Sequence, residues 1–401
     1  MPKLRTIAIV GGGPAGAMAA ERLLRGHASE EMKSHALRVT VFEEKPGWEK
    51  PCGGGLSHKA LKSYPFLLNE ARLANPVRKM EIHGPKEVGV SLTLREPLAI
   101  YSRRELNHLL LERSQCSGAH VINDRIVSIN RASGKWRLQG RLDTYEADFL
   151  VLASGARSAL RNELAGPLKP RDFMLTFGYF VPGRDDRLII EFFDEFEGYA
   201  WSFPRPDHLS VGICGKVGHV EMRELRQKLH RFMSRLGFSI RSAHVFSHLL
   251  PSLGPESWKN IALEGPGWAL AGDVAGLADP ITGEGLYYAL RSGELLAESI
   301  LKGIPYARSV WNEFGARLML GAQICSKFYR GRFLGAGVTT RMVQFCSRSR
   351  TFSDLFQDLV EGRQAYSGLR NRAVKSLPKS LIELFACSFR KHPAVQSAER
   401  L

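Results

Sequence analysis

Two glycine-rich segments, Gly11-Gly12-Gly13-Pro14-Ala15-Gly16 and Gly272-Asp273-Val274-Ala275-Gly276-Leu277-Ala278-Asp279-Pro280-Ile281-Thr282-Gly283-Glu284-Gly285, carry residue types that can bring backbone amides up to a phosphorylated ligand. In the first, Gly11, Gly13 and Gly16 have the spacing of a dinucleotide-binding turn: one glycine for the tight turn, one for close approach to a pyrophosphate, one for close packing of helix on strand. The elements that such a turn needs stand on either side of it. Thr6-Ile7-Ala8-Ile9-Val10 is an apolar β-branched run, expected as a buried parallel strand, and Ala17 to Arg25 continues as a helix whose N-terminus faces the anion. After a polar stretch, Leu37 to Phe42 reads as the second strand and delivers Glu43, a carboxylate placed to accept hydrogen bonds from a ribose diol. A nicotinamide or a flavin dinucleotide satisfies this unit equally well.

The second segment separates the two. Ala269-Leu270-Ala271 is expected as a short strand that delivers Gly272 and Asp273, and a helix begins near Gly283 and runs through Leu286-Tyr287-Tyr288-Ala289-Leu290 to Leu296 or beyond. Both segments in this order resemble the flavoprotein hydroxylase and geranylgeranyl reductase superfamily. The resemblance implies FAD as cofactor, with Asp273 at the ribitol chain and the helix N-terminus, Gly283, Gly285 and Leu286, at the flavin pyrimidine. A helix N-terminus carries roughly half a positive charge and would stabilise an anionic reduced flavin there. With Gly11, Gly13, Pro14, Ala15, Gly16 and Glu43, these residues form the expected cofactor set.

Further segments narrow the resemblance. Pro51-Cys52-Gly53-Gly54-Gly55-Leu56 is expected as a loop that allows close backbone approach, and it resembles the CGGG loop of the geranylgeranyl reductase family, which implies that Gly53 and Gly54 lie beside the isoalloxazine ring. Tyr199-Ala200-Trp201-Ser202-Phe203-Pro204 matches that family's YxWxFP signature. Alternation puts Tyr199, Trp201 and Phe203 on one strand face, Arg205 to His208 turn the chain, and Leu209 to Ile213 return as a partner strand. Such a face is ordinarily sheet core; the resemblance makes it, with Pro204, the wall of a substrate pocket. Arg103 stands where relatives place an arginine near the FAD phosphates and ribose, with Arg104 as the alternative in a slipped register and Asn107 in place of the usual Asp. In Leu152 to Ser158, Ser154 replaces the Asp of the superfamily's DG element, which argues against an ordinary aromatic hydroxylase. Val127, on a strand expected over Val121 to Ile129, has its backbone where relatives meet adenine.

The expected fold class is α/β. A Rossmann-type FAD domain (1–71, 100–165, 260–300) is interleaved with an antiparallel-sheet substrate domain (72–99, 166–259) that includes a helix over Glu221 to Leu236, and a helical basic region follows (301–401). The resemblance covers roughly residues 5 to 300. At 401 residues, 44% hydrophobic and 24% charged, the chain has the composition of a folded enzyme. No apolar run reaches the roughly 18 to 20 residues that span a bilayer, and the first strand starts almost at once, so a cytoplasmic protein is expected. Six cysteines (52, 116, 214, 325, 346, 387) show no C-x-x-C pair, which predicts neither a metal site nor a disulfide framework. The net charge of +16 is uneven: from residue 321 onward fourteen Lys and Arg stand against five Asp and Glu. There Ser380 to Phe389 forms an apolar stretch flanked by Lys375, Lys379, Arg390 and Lys391, which fits either an interfacial helix at the inner, anionic membrane face or a helix packed on the protein. No nucleic-acid motif accompanies it, and no nucleic-acid partner is expected.

The resemblance implies reduction of isoprenoid double bonds, on a geranylgeranyl-type lipid or diphosphate, with NAD(P)H or ferredoxin as electron donor. An isolated alkene is electron-rich, so protonation of one carbon must precede or accompany hydride addition to the other. That asks for a general acid and a wall that tolerates positive charge. Cys52 is the first candidate acid by location and Tyr199 the second, while Cys52 as a small side chain tolerated in a tight loop is the alternative. The faces of Tyr199, Trp201 and Phe203 offer cation–π attraction of about 1 to 2 kcal/mol each when desolvated. Two other readings stay open: a flavin-dependent monooxygenase or halogenase-like enzyme on an apolar substrate, and a non-catalytic flavin or prenyl-lipid binding protein.

Overall fold

The β-branched run Thr6–Val10 lies in the interior of a six-stranded sheet in a computed structural model that describes residues 5–29, 36–69, 73–85 and 89–369, with scattered positions between 371 and 383. The spatial order is Glu264–Gly265, Trp268–Leu270, Phe149–Leu152, Thr6–Val10, Arg38–Phe42, His120–Ile122. Every pairing is parallel except the outermost, between Glu264–Gly265 and Trp268–Leu270. Burial on both faces explains the near-continuous apolar strands: Ile9 pairs with Val41 and Val151, all fully buried. The single strand expected over Val121 to Ile129 is instead two. His120–Ile122 ends the sheet and Ile126–Ala132 opens a three-stranded meander, because Asp124 turns the chain by accepting from the amides of Arg125 (2.7 Å) and Arg141 (3.0 Å) and the Tyr145 hydroxyl (3.1 Å).

The helices that follow the two glycine-rich segments, Pro14–Ser29 and Leu286–Lys302, pack directly on each other. Gly293 makes this possible: a Cβ there would stand 2.2 Å from the Ala15 carbonyl oxygen. The N-termini of these two helices, at Pro14 and Leu286, therefore open side by side on one space.

The second sheet has eight strands, in the order His244–Pro251, Phe173–Pro182, His208–Lys216, Gly198–Pro204, Arg187–Phe192, Ala74–His83, Gly89–Tyr101, Gly55–Leu56. It is antiparallel except where Arg187–Phe192 runs parallel to Ala74–His83. Helix Met222–Arg235 buries Leu225, Leu229, Phe232 and Met233 against one face, and Tyr329, Val343 and Cys346 of the C-terminal helices pack with Met80 and Trp201 on the other. Cys52 to Leu56 is not wholly a loop: Gly55 and Leu56 pair with Ile100 and Ala99 as an edge strand, and the Tyr101 amide donates to the Gly54 carbonyl at 2.9 Å.

The C-terminal region holds the helices Ala316–Arg330, Val338–Arg348 and Arg350–Val360, and also a hairpin, Arg332–Phe333 with Ala336–Gly337. Arms of two residues are too short to leave a periodic signal in sequence. Most of the apolar stretch 380–389 lies outside the described residues. Among the described residues no helix is long and apolar enough to cross a membrane.

Gly293→Ala is expected to lower unfolding stability by about 1–3 kcal/mol, since the added methyl must push two helix backbones apart. A denaturant midpoint equal to that of the parent chain, with an equal m-value, would show that the helix contact is not the constraint described.

Candidate active site

The chain folds its polar centre around Glu49. One carboxylate oxygen accepts from the Arg103 amide at 2.7 Å and pairs with the Arg205 guanidinium; the other accepts from Ser102 Oγ at 2.9 Å and the Arg104 amide at 3.2 Å. Glu49 thus caps helix Arg103–Cys116 and anchors an arginine that is only 1% exposed. Arg205 in turn donates to the Cys52 carbonyl, which also accepts from Ser210 Oγ at 2.8 Å. The loop carrying Cys52 is therefore held to helix Arg103–Cys116 and to the eight-stranded sheet at once.

Beside this centre lies a cavity of about 860 Å³. Gly11, Gly13, Pro14, Ala15 and Glu43 line one part of it with Val127, and Gly53, Gly54, Arg103, Asp273, Gly283, Gly285 and Leu286 line the rest of the expected cofactor site. Gly16 does not line it; its missing side chain lets the helix pass within contact of Gly11, whose carbonyl oxygen a Cβ would meet at 1.9 Å. Arg104 is exposed and also absent from the lining, so the register that uses Arg103 is the one present. The space suits a dinucleotide. Both helix N-termini face it, a Cβ on Gly13 would meet nothing within 4 Å, and two buried lining nitrogens, Arg103 Nε and His248 Nε2, have no partner among the described residues. Glu43 takes the amides of Gly12 (2.7 Å) and Lys45 (2.8 Å), which fixes its carboxylate at the cavity wall. Asp273 is paired with Lys50 at 2.5 Å; burial alone would raise its pKa, but Lys50 holds it below the usual carboxylate value.

The same cavity continues to the aromatic strand, where Tyr199, Trp201 and Phe203 all line it with Met80, Leu98, Leu188, Ile190, Leu250, Leu359 and Val360. Two glycine contacts set these rings. Trp201 lies across its cross-strand partner Gly212, where a Cβ would come within 2.4 Å of the indole, and Phe203 lies against Gly53, where a Cβ would come within 2.5 Å of the ring. Pro204, expected in the pocket, is buried outside the lining, where its carbonyl accepts from Asn75 Nδ2 at 3.0 Å.

Cys52 stands in this lining. Burial pushes its thiol up, but Arg103, Arg205 and Lys50 outweigh burial and leave it below its ordinary value, with Arg103 Nη1 at 3.3 Å from Sγ. Burial instead raises Cys214, Cys325 and Cys346 to about 12. The Tyr199 hydroxyl donates to the Thr282 carbonyl at 2.6 Å, and burial lifts its pKa well above the ordinary phenol value. Sequence reasoning missed Glu49, Lys50, Arg205, His248 and Glu284. Glu284, in the second glycine-rich segment, lines the cavity with its pKa raised by burial and by Asp279, and its Oε1 accepts from Ser57 Oγ at 3.3 Å. Arg205, directly after the aromatic signature, and Glu284, between Gly283 and Gly285, had a positional signal.

Residues 5–174 match the family model described as pyridine nucleotide-disulphide oxidoreductase. The chain is 28% identical to the chloroplastic geranylgeranyl diphosphate reductase of Arabidopsis thaliana, with 79% of this chain and 70% of that protein covered. In structure it resembles a geranylgeranyl bacteriochlorophyll reductase-like protein of Thermoplasma acidophilum at a TM-score of 0.73 and 20% identity, over 96% of this chain and all of that one. It also resembles the flavin-dependent brominase Bmp2 at a TM-score of 0.66 and 15% identity, over 93% and 98% of the two chains. At these identities the structural likenesses are likenesses of fold.

Alkylation of Cys52 in a Cys116→Ser background is expected to titrate below the ordinary thiol value, because cations favour the thiolate. Arg103→Gln removes the largest of them and should move the midpoint to higher pH. Identical midpoints in the two proteins would sink this account of the site's electrostatics.

Proposed function

Taking as premise that the chain is an FAD-dependent oxidoreductase related to the geranylgeranyl reductases, we propose that it reduces carbon–carbon double bonds of an isoprenoid chain, carried by a geranylgeranyl-type lipid or diphosphate. NAD(P)H or ferredoxin is the proposed electron donor. One observation carries the reading: a single cavity joins the dinucleotide-suited groove to an apolar chamber, with the Cys52 thiol and the rings of Tyr199, Trp201 and Phe203 in its wall. FAD, when bound and reduced, supplies hydride to the alkene. Gly11, Gly13, Pro14, Ala15, Glu43 and Val127 would hold the adenosine and pyrophosphate end, Arg103 the phosphates and ribose, Asp273 the ribitol, and Gly53, Gly54, Gly283, Gly285 and Leu286 the ring system.

The remaining work belongs to the chain. Cys52 Sγ–H donates the proton, and the thiolate left behind keeps the field of Arg103 and Arg205. Tyr199 is the weaker acid, because its hydroxyl is committed to Thr282 and held protonated. Trp201 and Phe203 present faces to positive charge developing on the substrate, and Met80, Leu98, Leu188 and Ile190 seat the apolar chain and exclude water. An oxygen-dependent reaction of the monooxygenase or halogenase kind is the second reading, favoured by the fold likeness to the brominase.

The test is to reduce the protein's flavin anaerobically, add geranylgeranyl diphosphate or a geranylgeranyl-bearing lipid, and follow flavin absorbance with the mass of the isoprenoid. Reoxidation with two hydrogens gained per bond is expected; a flavin that stays reduced until oxygen is admitted supports the second reading instead. Cys52→Ser should lose about 10²-fold or more in rate while retaining flavin. In the parent protein the rate should fall as pH rises through the Cys52 pKa, since the acid form is lost, and Arg103→Gln should move that fall to higher pH. A pH profile indifferent to Arg103 would remove Cys52 from the proton step.

A further inference from the structure

The hairpin Arg332–Phe333 and Ala336–Gly337 joins the helices Ala316–Arg330 and Val338–Arg348 through a loop of two residues, Leu334 and Gly335. Both have positive φ, 48° and 78°, the requirement of a type I′ turn. Asn, Asp or Gly meets that requirement cheaply at the first position, whereas leucine is strained there. The strained leucine is also 67% exposed, and Phe333 beside it is 51% exposed. Neither belongs to a buried core cluster; the Phe333 ring makes an edge contact with Phe345, 6.4 Å between centroids, and still leaves half of its surface in solvent.

Two further features concern what surrounds the tip. Its carbonyls are satisfied within the chain: Arg341 donates to the Phe333 (3.3 Å) and Leu334 carbonyls, and Arg332 donates to Gly335 at 3.0 Å. A segment that leaves water needs this, because an unpaired carbonyl in an apolar medium is costly. The tip also stands in a stretch of one sign: residues 314–353 contain seven Lys and Arg and no Asp or Glu, and Lys327, Arg330, Arg332 and Arg348 are exposed.

We propose that this hairpin is a membrane-docking tip, with Phe333 and Leu334 entering the interfacial layer of an anionic bilayer and Arg330, Arg332 and Lys327 meeting lipid phosphates. One apolar pair with a basic collar gives reversible, salt-sensitive attachment. The inference does not rest on the double-bond reading, since it concerns lipid binding alone.

The experiment is vesicle flotation of the full-length flavin-loaded protein at physiological salt, with phosphatidylcholine vesicles against vesicles containing phosphatidylglycerol at roughly a third of the lipid. Co-flotation with the anionic vesicles only is expected. Leu334→Asn, which suits the turn, should cut that partition about 5-fold or more while the melting temperature holds or rises. Phe333→Ser, at an exposed position, should do the same as a second variant. A parent protein that floats with neither vesicle overturns the proposal. So does partition unaffected by both substitutions, which would assign membrane contact to another surface.

Discussion

The ion pair of Glu49 with the buried Arg205 is the interaction on which the arrangement of the site depends. Arg205 is fully buried and the Glu49 side chain only 13% exposed, so removing the carboxylate would leave a buried guanidinium without its countercharge, which typically costs about 3–5 kcal/mol. The pair joins three pieces that are distant in sequence. Glu49 belongs to the loop after the second Rossmann strand and caps the helix that carries Arg103, and Arg205 belongs to the turn after the aromatic strand. Cys52 hangs between them by its carbonyl oxygen. The distance between the dinucleotide groove and the aromatic wall is therefore set by a polar clamp.

Glycine makes the clamp sterically possible. Gly53 and Gly55 let Phe203 lie under the loop, and Gly54, at φ 82°, would place a Cβ 2.4 Å from the Tyr101 carbonyl oxygen. The same economy of volume recurs where Gly293 admits the Ala15 backbone and Gly212 admits the Trp201 ring. In each case a side chain or backbone that matters to the cavity fills the volume that a glycine leaves vacant.

Elements with strong local signals were legible in the sequence. The strand Thr6–Val10, the helix after it and the aromatic hairpin stand where periodicity and turn chemistry put them, because their burial repeats over several residues. The break at Asp124 was not legible, since its cause is a set of hydrogen bonds from residues up to Tyr145. Nor was the edge strand at Gly55, whose pairing depends on a partner over forty residues away. For the site, glycines and the aromatic face could be found by type and spacing. Of the charges that govern Cys52, Arg103 could be found through the resemblance, whereas Lys50 and Arg205 acquire meaning only when the fold places them beside the thiol.

Those charges also explain why Asn107, where the flavoproteins that the chain resembles have Asp, has a physical consequence. Lys50 is paired with Asp273 and Arg205 with Glu49, so two of the three cations around Cys52 are largely neutralised. Arg103 has no carboxylate on its side chain among the described residues; its guanidinium contacts Cys52 and the neutral amide of Asn107 at 3.1 Å. An Asp at 107 would share that charge, whereas Asn leaves it directed at the thiol. In the proposed reduction the same cation would also bear on where positive charge develops on a substrate. Two unit charges 4 Å apart repel by about 4 kcal/mol at an effective dielectric of 20. In the proposed reduction a cationic carbon would be disfavoured near Arg103 by this repulsion and favoured against the faces of Trp201 and Phe203, so the electropositive loop and the aromatic strand would together orient the reacting bond across the cavity.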